Sequence, residues 1–226
     1  MPRAIKKQTD KMTSTEKEIH ETIVDIKDRL QKRQRVLALS LIAFLIIAAS
    51  VAGFILYNKS LANKASLLEY EGYKLFYGQF QATDISDNRY KSALEKFRES
   101  YDTKKNPRVL FYIANSYYEM GNYDESIKTL KELVERFSEP QIVSFSYYKM
   151  AMAYLRKNDT DNALSSLKAI TKLKDGVLQD MALMETAKIL DSIGRKEEAQ
   201  NVYRELIEKY PESVFVNEAK ARIGGN

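Results

Sequence analysis

The chain contains no cysteine and only one histidine, His20, among its 226 residues. Without cysteine it forms no disulfide, carries no thiolate nucleophile and offers no zinc–thiolate site, so any folded domain must hold through packing alone. It also lacks a glycine-rich phosphate loop and any metal-ligand spacing. Acidic neighbours do occur, Asp124–Glu125 and Glu197–Glu198, but both pairs fall near expected helix starts, where acids suit the helix dipole. His20 stands between Glu18 and Glu21 without forming a site. The expectation is a protein with no catalytic residues, no cofactor and no metal.

A second absence carries more information. From Val36 to Tyr57 the chain reads VLALSLIAFLIIAASVAGFILY, 22 residues without a charge. As a helix this run measures about 33 Å at 1.5 Å per residue, close to the thickness of a bilayer's hydrocarbon core. A buried soluble helix rarely stays apolar on every face for six turns. A cleaved signal peptide has a shorter apolar core, nearer the start of the chain. The run therefore reads as a transmembrane signal anchor in contact with the lipid bilayer through residues 36–57. Tyr57 sits where an interfacial aromatic belongs. Ala49 and Gly53, four apart, would permit a close helix crossing, although simple lipid contact accounts for them equally well.

Charge near the two ends of the run sets an orientation. Arg29, Lys32, Arg33 and Arg35 precede it, whereas Lys59 and Lys64 follow it. The positive-inside rule then predicts a cytosolic N-terminus and an exported C-terminal domain. The formal charge of +5 is concentrated in residues 1–35, with ten Lys/Arg against six Asp/Glu, while residues 58–226 are nearly balanced. Basic residues in the larger part are interspersed with acids and match no nucleic-acid module, so no nucleic-acid partner is expected.

Residues 1–35 form a basic arm. Residues 1–13 have the composition of a disordered segment. Ser14 or Thr15 can cap a helix from Glu16 to Arg35 on which Ile19, Ile23, Ile26 and Leu30 share one face. That stripe suits a short coiled coil in a homodimer through residues 19–30, a helix docked on a membrane or partner, or a solvated lead-in to the span.

Beyond the apolar run the chain repeats. The clearest unit is PRVLFYIANSYYEMGNYDESIKTLKELVERFSEP, Pro107 to Pro140. Leu110, Ile113, Ala114 and Tyr117 mark a first helix, Gly121 breaks it, and Tyr123, Ser126, Leu130 and Leu133 mark a second. This is the 34-residue tetratricopeptide pattern. The frame recurs with Tyr147, Met150, Ala151 and Tyr154, the turn Lys157–Asn158–Asp159, then Ala163, Leu167 and Ile170. It recurs again with Leu183, Ala187 and Leu190, then Gly194, then Ala199, Tyr203 and Leu206. A degenerate first unit spans Leu67 to Tyr101, with a first helix from Ala62 to Phe80 and a connection at 84–88. A last helix from Val214 to Ile223 caps the stack. The expected fold is all-α: one transmembrane helix followed by a tetratricopeptide α-solenoid over residues 62–223.

Projecting the frame places Phe111, Asn115 and Tyr118, then Tyr148, Met152 and Leu155, then Met184 and Lys188, along one face of successive first helices. An aromatic and methionine-rich surface of this kind suits an extended peptide or a partner helix. Packing of the same side chains against neighbouring helices is the competing reading.

The arrangement of arm, anchor and repeats resembles the bacterial ancillary SecYEG translocon subunit (YfgM-like) family. The likeness rests on AKILDSIGRKEEAQNVYRELIEKYPESVFVNEAKARI, Ala187 to Ile223, and on SLLEYEGYKLFYG just after the apolar run. It implies a module tethered to the bacterial inner membrane, with a periplasmic domain near the secretion translocon that binds exported polypeptides or envelope proteins and aids their chaperoning. The alternative is a structural scaffold for cell-envelope assembly or division, holding one fixed partner.

Overall fold

The computed structural model describes residues 14–78 and 86–224. The expectations for residues 1–13, for the first-repeat helix beyond Gly78 and for the start of the 84–88 connection lie outside the described residues. Among those described there are nine helices: α1 (Ser14–Phe76), α2 (Ser86–Thr103), α3 (Pro107–Glu119), α4 (Tyr123–Arg136), α5 (Pro140–Arg156), α6 (Thr160–Thr171), α7 (Gln179–Ser192), α8 (Lys196–Lys209) and α9 (Val216–Gly224). They divide into two compact units, Met1–Lys59 and Ser60–Asn226, and α1 contributes to both.

The first unit consists of the amino-terminal part of α1. Its apolar side chains from Val36 to Tyr57 are exposed on all sides of the helix, as are Ile19, Ile23, Ile26 and Leu30. The serine hydroxyls within the apolar run are satisfied by their own helix: Ser40 Oγ donates to the Leu37 carbonyl at 2.9 Å and Ser50 Oγ to that of Ile46 at 2.8 Å. A polar group bonded this way adds little to the cost of placing the helix in hydrocarbon. This is the one helix among the described residues long and apolar enough to cross a membrane.

The second unit is a stack of helical hairpins. The pairs α3/α4, α5/α6 and α7/α8 follow one another, the residues of α1 from Ser60 onward pair with α2, and α9 packs on α8. Small residues allow the close approach. Ala93, Ala114, Ala151, Ala163 and Ala187 have no exposed surface, and Leu130, Leu167, Ile170 and Leu206 fill the space between them. Replacing Ala151 by leucine is expected to overpack this core at a cost of about 1–3 kcal/mol, seen as an earlier midpoint in urea-induced loss of helical circular dichroism.

The turns follow from local chemistry. Pro107 and Pro140 open α3 and α5 at the first helical position, where a missing N–H costs nothing. Asn106 Oδ1 caps α3 by accepting from the Arg108 amide at 2.9 Å. Gly121 and Gly194 leave their helices with φ of 76° and 81°, the left-handed geometry that ends a helix without steric penalty. Asn158 takes the same role at φ 59° in the middle repeat, because a short amide side chain tolerates that region. Ser144 ties the α6–α7 connection to α5: its Oγ accepts from the Val177 amide at 3.1 Å and donates to the Pro140 carbonyl at 2.8 Å.

The first hairpin closes around Gly72. A Cβ at this position would lie 2.7 Å from the Phe97 ring, so glycine is what lets α1 and α2 touch here. Ser100 Oγ donates to the Ala65 carbonyl at 2.8 Å on the same interface, and Lys96 pairs with Glu71 at 3.3 Å at its edge.

Candidate functional site

The first helices of neighbouring hairpins lie beside one another, and α3 contacts α5 directly. Along this row the aromatic side chains form a connected series. The Tyr73 ring meets Tyr77 at 4.5 Å and Tyr112 edge-on at 5.6 Å; Tyr112 stacks on Phe97 at 5.1 Å. Phe111 lies 6.4 Å from both Tyr112 and Phe145. Such offset and edge-on pairs add to the stability of the apolar contacts they accompany. Tyr70, Tyr73, Tyr77 and Phe145 keep exposed faces. A cleft of about 310 Å³ opens between Ser66, Glu69, Tyr70, Tyr73, Arg108 and Tyr112. At its rim Arg108 grips Glu69 with two bonds, Nε–Oε1 at 2.6 Å and Nη2–Oε2 at 3.2 Å. Burial, with the Tyr77 hydroxyl as a neighbour, raises the Tyr112 phenol above its ordinary range, so it stays a neutral donor.

The residues expected from the sequence fall into four groups. Phe111, Tyr118, Tyr148, Met152 and Leu155 are partly exposed and pack against the core beneath α3 and α5. Asn115 is almost covered, 7% exposed, and its Oδ1 has no hydrogen-bond partner. Lys188 is partly exposed and lies 3.9 Å from Glu185 and 3.3 Å from Glu218 of α9. Met184 differs from expectation. It has no exposed surface and fills the core with Leu183, Ala187, Leu190, Tyr203 and Leu206, because helix α9 and the α7–α8 hairpin close over it. It is a core residue, and the accessible chemistry of α7 on this row is that of Glu185 and Lys188.

Several neighbours were not anticipated. Lys149 Nζ sits 4.2 Å from the Tyr118 ring centroid and 4.0 Å from Glu119. Burial lowers its pKa, and the Glu119 carboxylate partly opposes that shift. Arg156 reaches the Tyr118 hydroxyl at 3.4 Å. Burial likewise raises the Tyr148 phenol, with Glu185 adding to the effect. Tyr70, Tyr73 and Phe76 belong to the row as well. The signal was available in Gly72: aligned with Ala114, it puts Tyr70 opposite Tyr112, Tyr73 opposite Asn115 and Phe76 opposite Tyr118.

A stack of helical hairpins with an aromatic row along its first helices is a protein-interaction module. Among the described residues no group of three or more His, Asp or Glu could hold a metal ion. The chain belongs to the tetratricopeptide repeat-like domain family, whose family model matches residues 30–221 and so takes in the apolar run together with the repeats. Modules of this kind bind proteins and do not catalyse reactions.

Among solved structures the chain is similar to two crystal structures of MamA. One is 18% identical with a TM-score of 0.52, covering 71% of this chain and 79% of that one. The other is 19% identical with a TM-score of 0.48, covering 63% and 82%. A complex of the TPR2AB domain of yeast Sti1 with pHSP90 is 19% identical with a TM-score of 0.42, covering 71% of each chain. No curated protein matches the sequence.

Proposed function

We propose that this protein is a membrane-anchored receptor for polypeptides, holding newly exported chains on the row of first helices for folding or onward transfer. The observation that carries the reading is the chemistry of that row. Partly exposed aromatic and thioether side chains share this row with a nearly buried Asn115 amide whose oxygen lacks a partner. An amide can both donate to and accept from a peptide backbone, which suits an extended chain of any sequence. Aromatic rings and Met152 supply adaptable apolar contact. Phe111, Asn115, Tyr118, Tyr148, Met152, Leu155 and Lys188 are the assigned lining, with Tyr70, Tyr73 and Tyr112 extending it.

Residues 36–57 serve as the span, residues 1–35 lie in the cytosol and the repeats lie on the exported side of a bacterial inner membrane. The reading is supported by the charge asymmetry at the ends of the run and by the exposure of its apolar side chains. A position beside the secretion translocon follows from the resemblance to its ancillary subunit. The exposed Ile19, Ile23, Ile26 and Leu30 stripe supports pairing with a second copy of the chain.

Topology gives the first test. The protein is expected to stay with the membrane pellet through alkaline carbonate. A reporter active only after export should work when fused behind Asn226 and fail when fused ahead of Val36. Release by carbonate would remove the span, and the reverse reporter pattern would remove the exported binding role.

A further inference from the structure

Among the described residues Lys32, Arg33 and Arg35 form no ion pair, and all three are exposed. Arg29 pairs with Asp25 at 2.7 Å, but that contact is solvent-exposed and holds Arg29 weakly. Counted along the helix, Lys32, Arg33 and Arg35 lie within about 6 Å of Val36, and Arg29 about 10 Å away. The acids on the same stretch stand further off: Asp28 is about 12 Å from Val36 and Glu18 about 27 Å. At physiological ionic strength the Debye length is about 8 Å, so a surface level with Val36 feels the three cations and little of the acids.

The angular placement is equally one-sided. At 100° per residue, Arg29, Lys32, Arg33 and Arg35 cover somewhat less than half of the helix circumference, and Leu30 and Leu37 occupy the opposite side. The far end of the run has no counterpart, since Lys59 is followed by neutral residues up to Lys64.

We infer that Lys32, Arg33 and Arg35, with Arg29 at the margin, form a half-collar that binds the phosphodiester headgroups of anionic phospholipids in the leaflet at the start of the span. The inference rests on the membrane reading of residues 36–57 and adds a lipid preference to it. Arginine suits this role because its planar fork donates two bonds to one phosphate, and two of the three unpaired cations are arginine. Each cation near an anionic surface contributes to binding, and the contributions fade with salt. The collar thereby does more than set orientation: it selects the lipid that surrounds the start of the helix.

The test uses the full chain in nanodiscs of equimolar phosphatidylglycerol and phosphatidylcholine. After gentle detergent extraction, the lipids that remain bound are counted by mass spectrometry. The wild-type chain at 0.1 M salt is expected to retain phosphatidylglycerol over phosphatidylcholine by roughly tenfold. The preference should fall toward unity in the triple variant K32Q/R33Q/R35Q, and in the wild type at 1 M salt. Equal retention of the two lipids by an inserted wild-type chain overturns the inference while leaving the span intact. A preference unchanged in both the variant and high salt also overturns it. A chain that does not insert into the discs at all overturns the membrane reading and this inference together.

Discussion

Replacing Phe97 with alanine is expected to destabilise the repeat domain by about 3–5 kcal/mol, the usual cost of emptying a large buried aromatic site. Phe97 has no exposed surface and joins three helices. Its ring fills the space left by Gly72 of α1, stacks on Tyr112 of α3 at 5.1 Å and lies 6.4 Å from Phe76. The same interface is closed by Leu75 and Phe76 packing on the cluster around Phe97, by the Phe76–Tyr90 ring contact at 5.2 Å and by the Ser100–Ala65 hydrogen bond, and Phe97 is the large, fully covered side chain at its centre. Domains of this size commonly have 5–15 kcal/mol of stability in total, so the loss takes a large share of it. Urea titration of the full chain in detergent, followed by helical circular dichroism, measures the effect. Leu67→Ala, at an exposed position of the facing helix α1, should change stability by less than about 0.5 kcal/mol. Equal effects from the two substitutions would mean that the α1–α2 contact does not organise the domain.

The second large effect concerns binding. The double substitution Phe111→Ala and Tyr148→Ala is expected to weaken capture of an extended, unfolded polypeptide by about 30-fold or more, as loss of aromatic anchors does at other interfaces. Both side chains are partly exposed, so the fold should survive their removal. Met184→Ala provides the contrast. Because Met184 is wholly covered, its truncation should lower stability by about 2–5 kcal/mol while leaving the affinity of the folded protein unchanged. Fluorescence anisotropy of a labelled, permanently unfolded chain reads affinity, and circular dichroism reads stability. A binding loss in Met184→Ala as large as in the double variant would place the site elsewhere.

Much of the repeat stack was legible because its signals are local. Ala114, Ala151 and Ala187 sit at near-constant spacing, and each is fully buried where the frame puts it. Gly121 and Gly194 end helices at positive φ, as their place after a periodic stretch suggested. The last helix begins at Val216, two residues later than expected, because Tyr210 and Ser213 form turns before it. The first repeat was harder to read. Its small residue is Gly72, which local pattern reads as a helix weakener; only contact with Phe97, 25 positions on, explains it.

Burial within the row was legible only in part. Frame projection identifies the residues that share a helical face, and Phe111, Tyr118 and Tyr148 on that face are partly exposed. It does not tell how deeply each side chain sinks, which depends on neighbours distant in sequence. Met184 is covered by elements up to about thirty residues away, whereas its counterpart Phe111 retains a partly exposed edge. The Lys149–Tyr118 contact likewise joins two repeats and leaves no trace in either alone. Helix α1 runs from Ser14 to Phe76, and no proline interrupts it.

The central claim is that the row of first helices holds many exported polypeptides. Photo-crosslinking amino acids placed at Phe111 and at Tyr148 in the membrane-bound protein, in living cells, test it most directly. The account predicts adducts with many different newly made exported chains, which disappear when secretion is blocked. A single stoichiometric adduct that persists when secretion is blocked would contradict it, and would mark the protein as a scaffold for one fixed envelope partner.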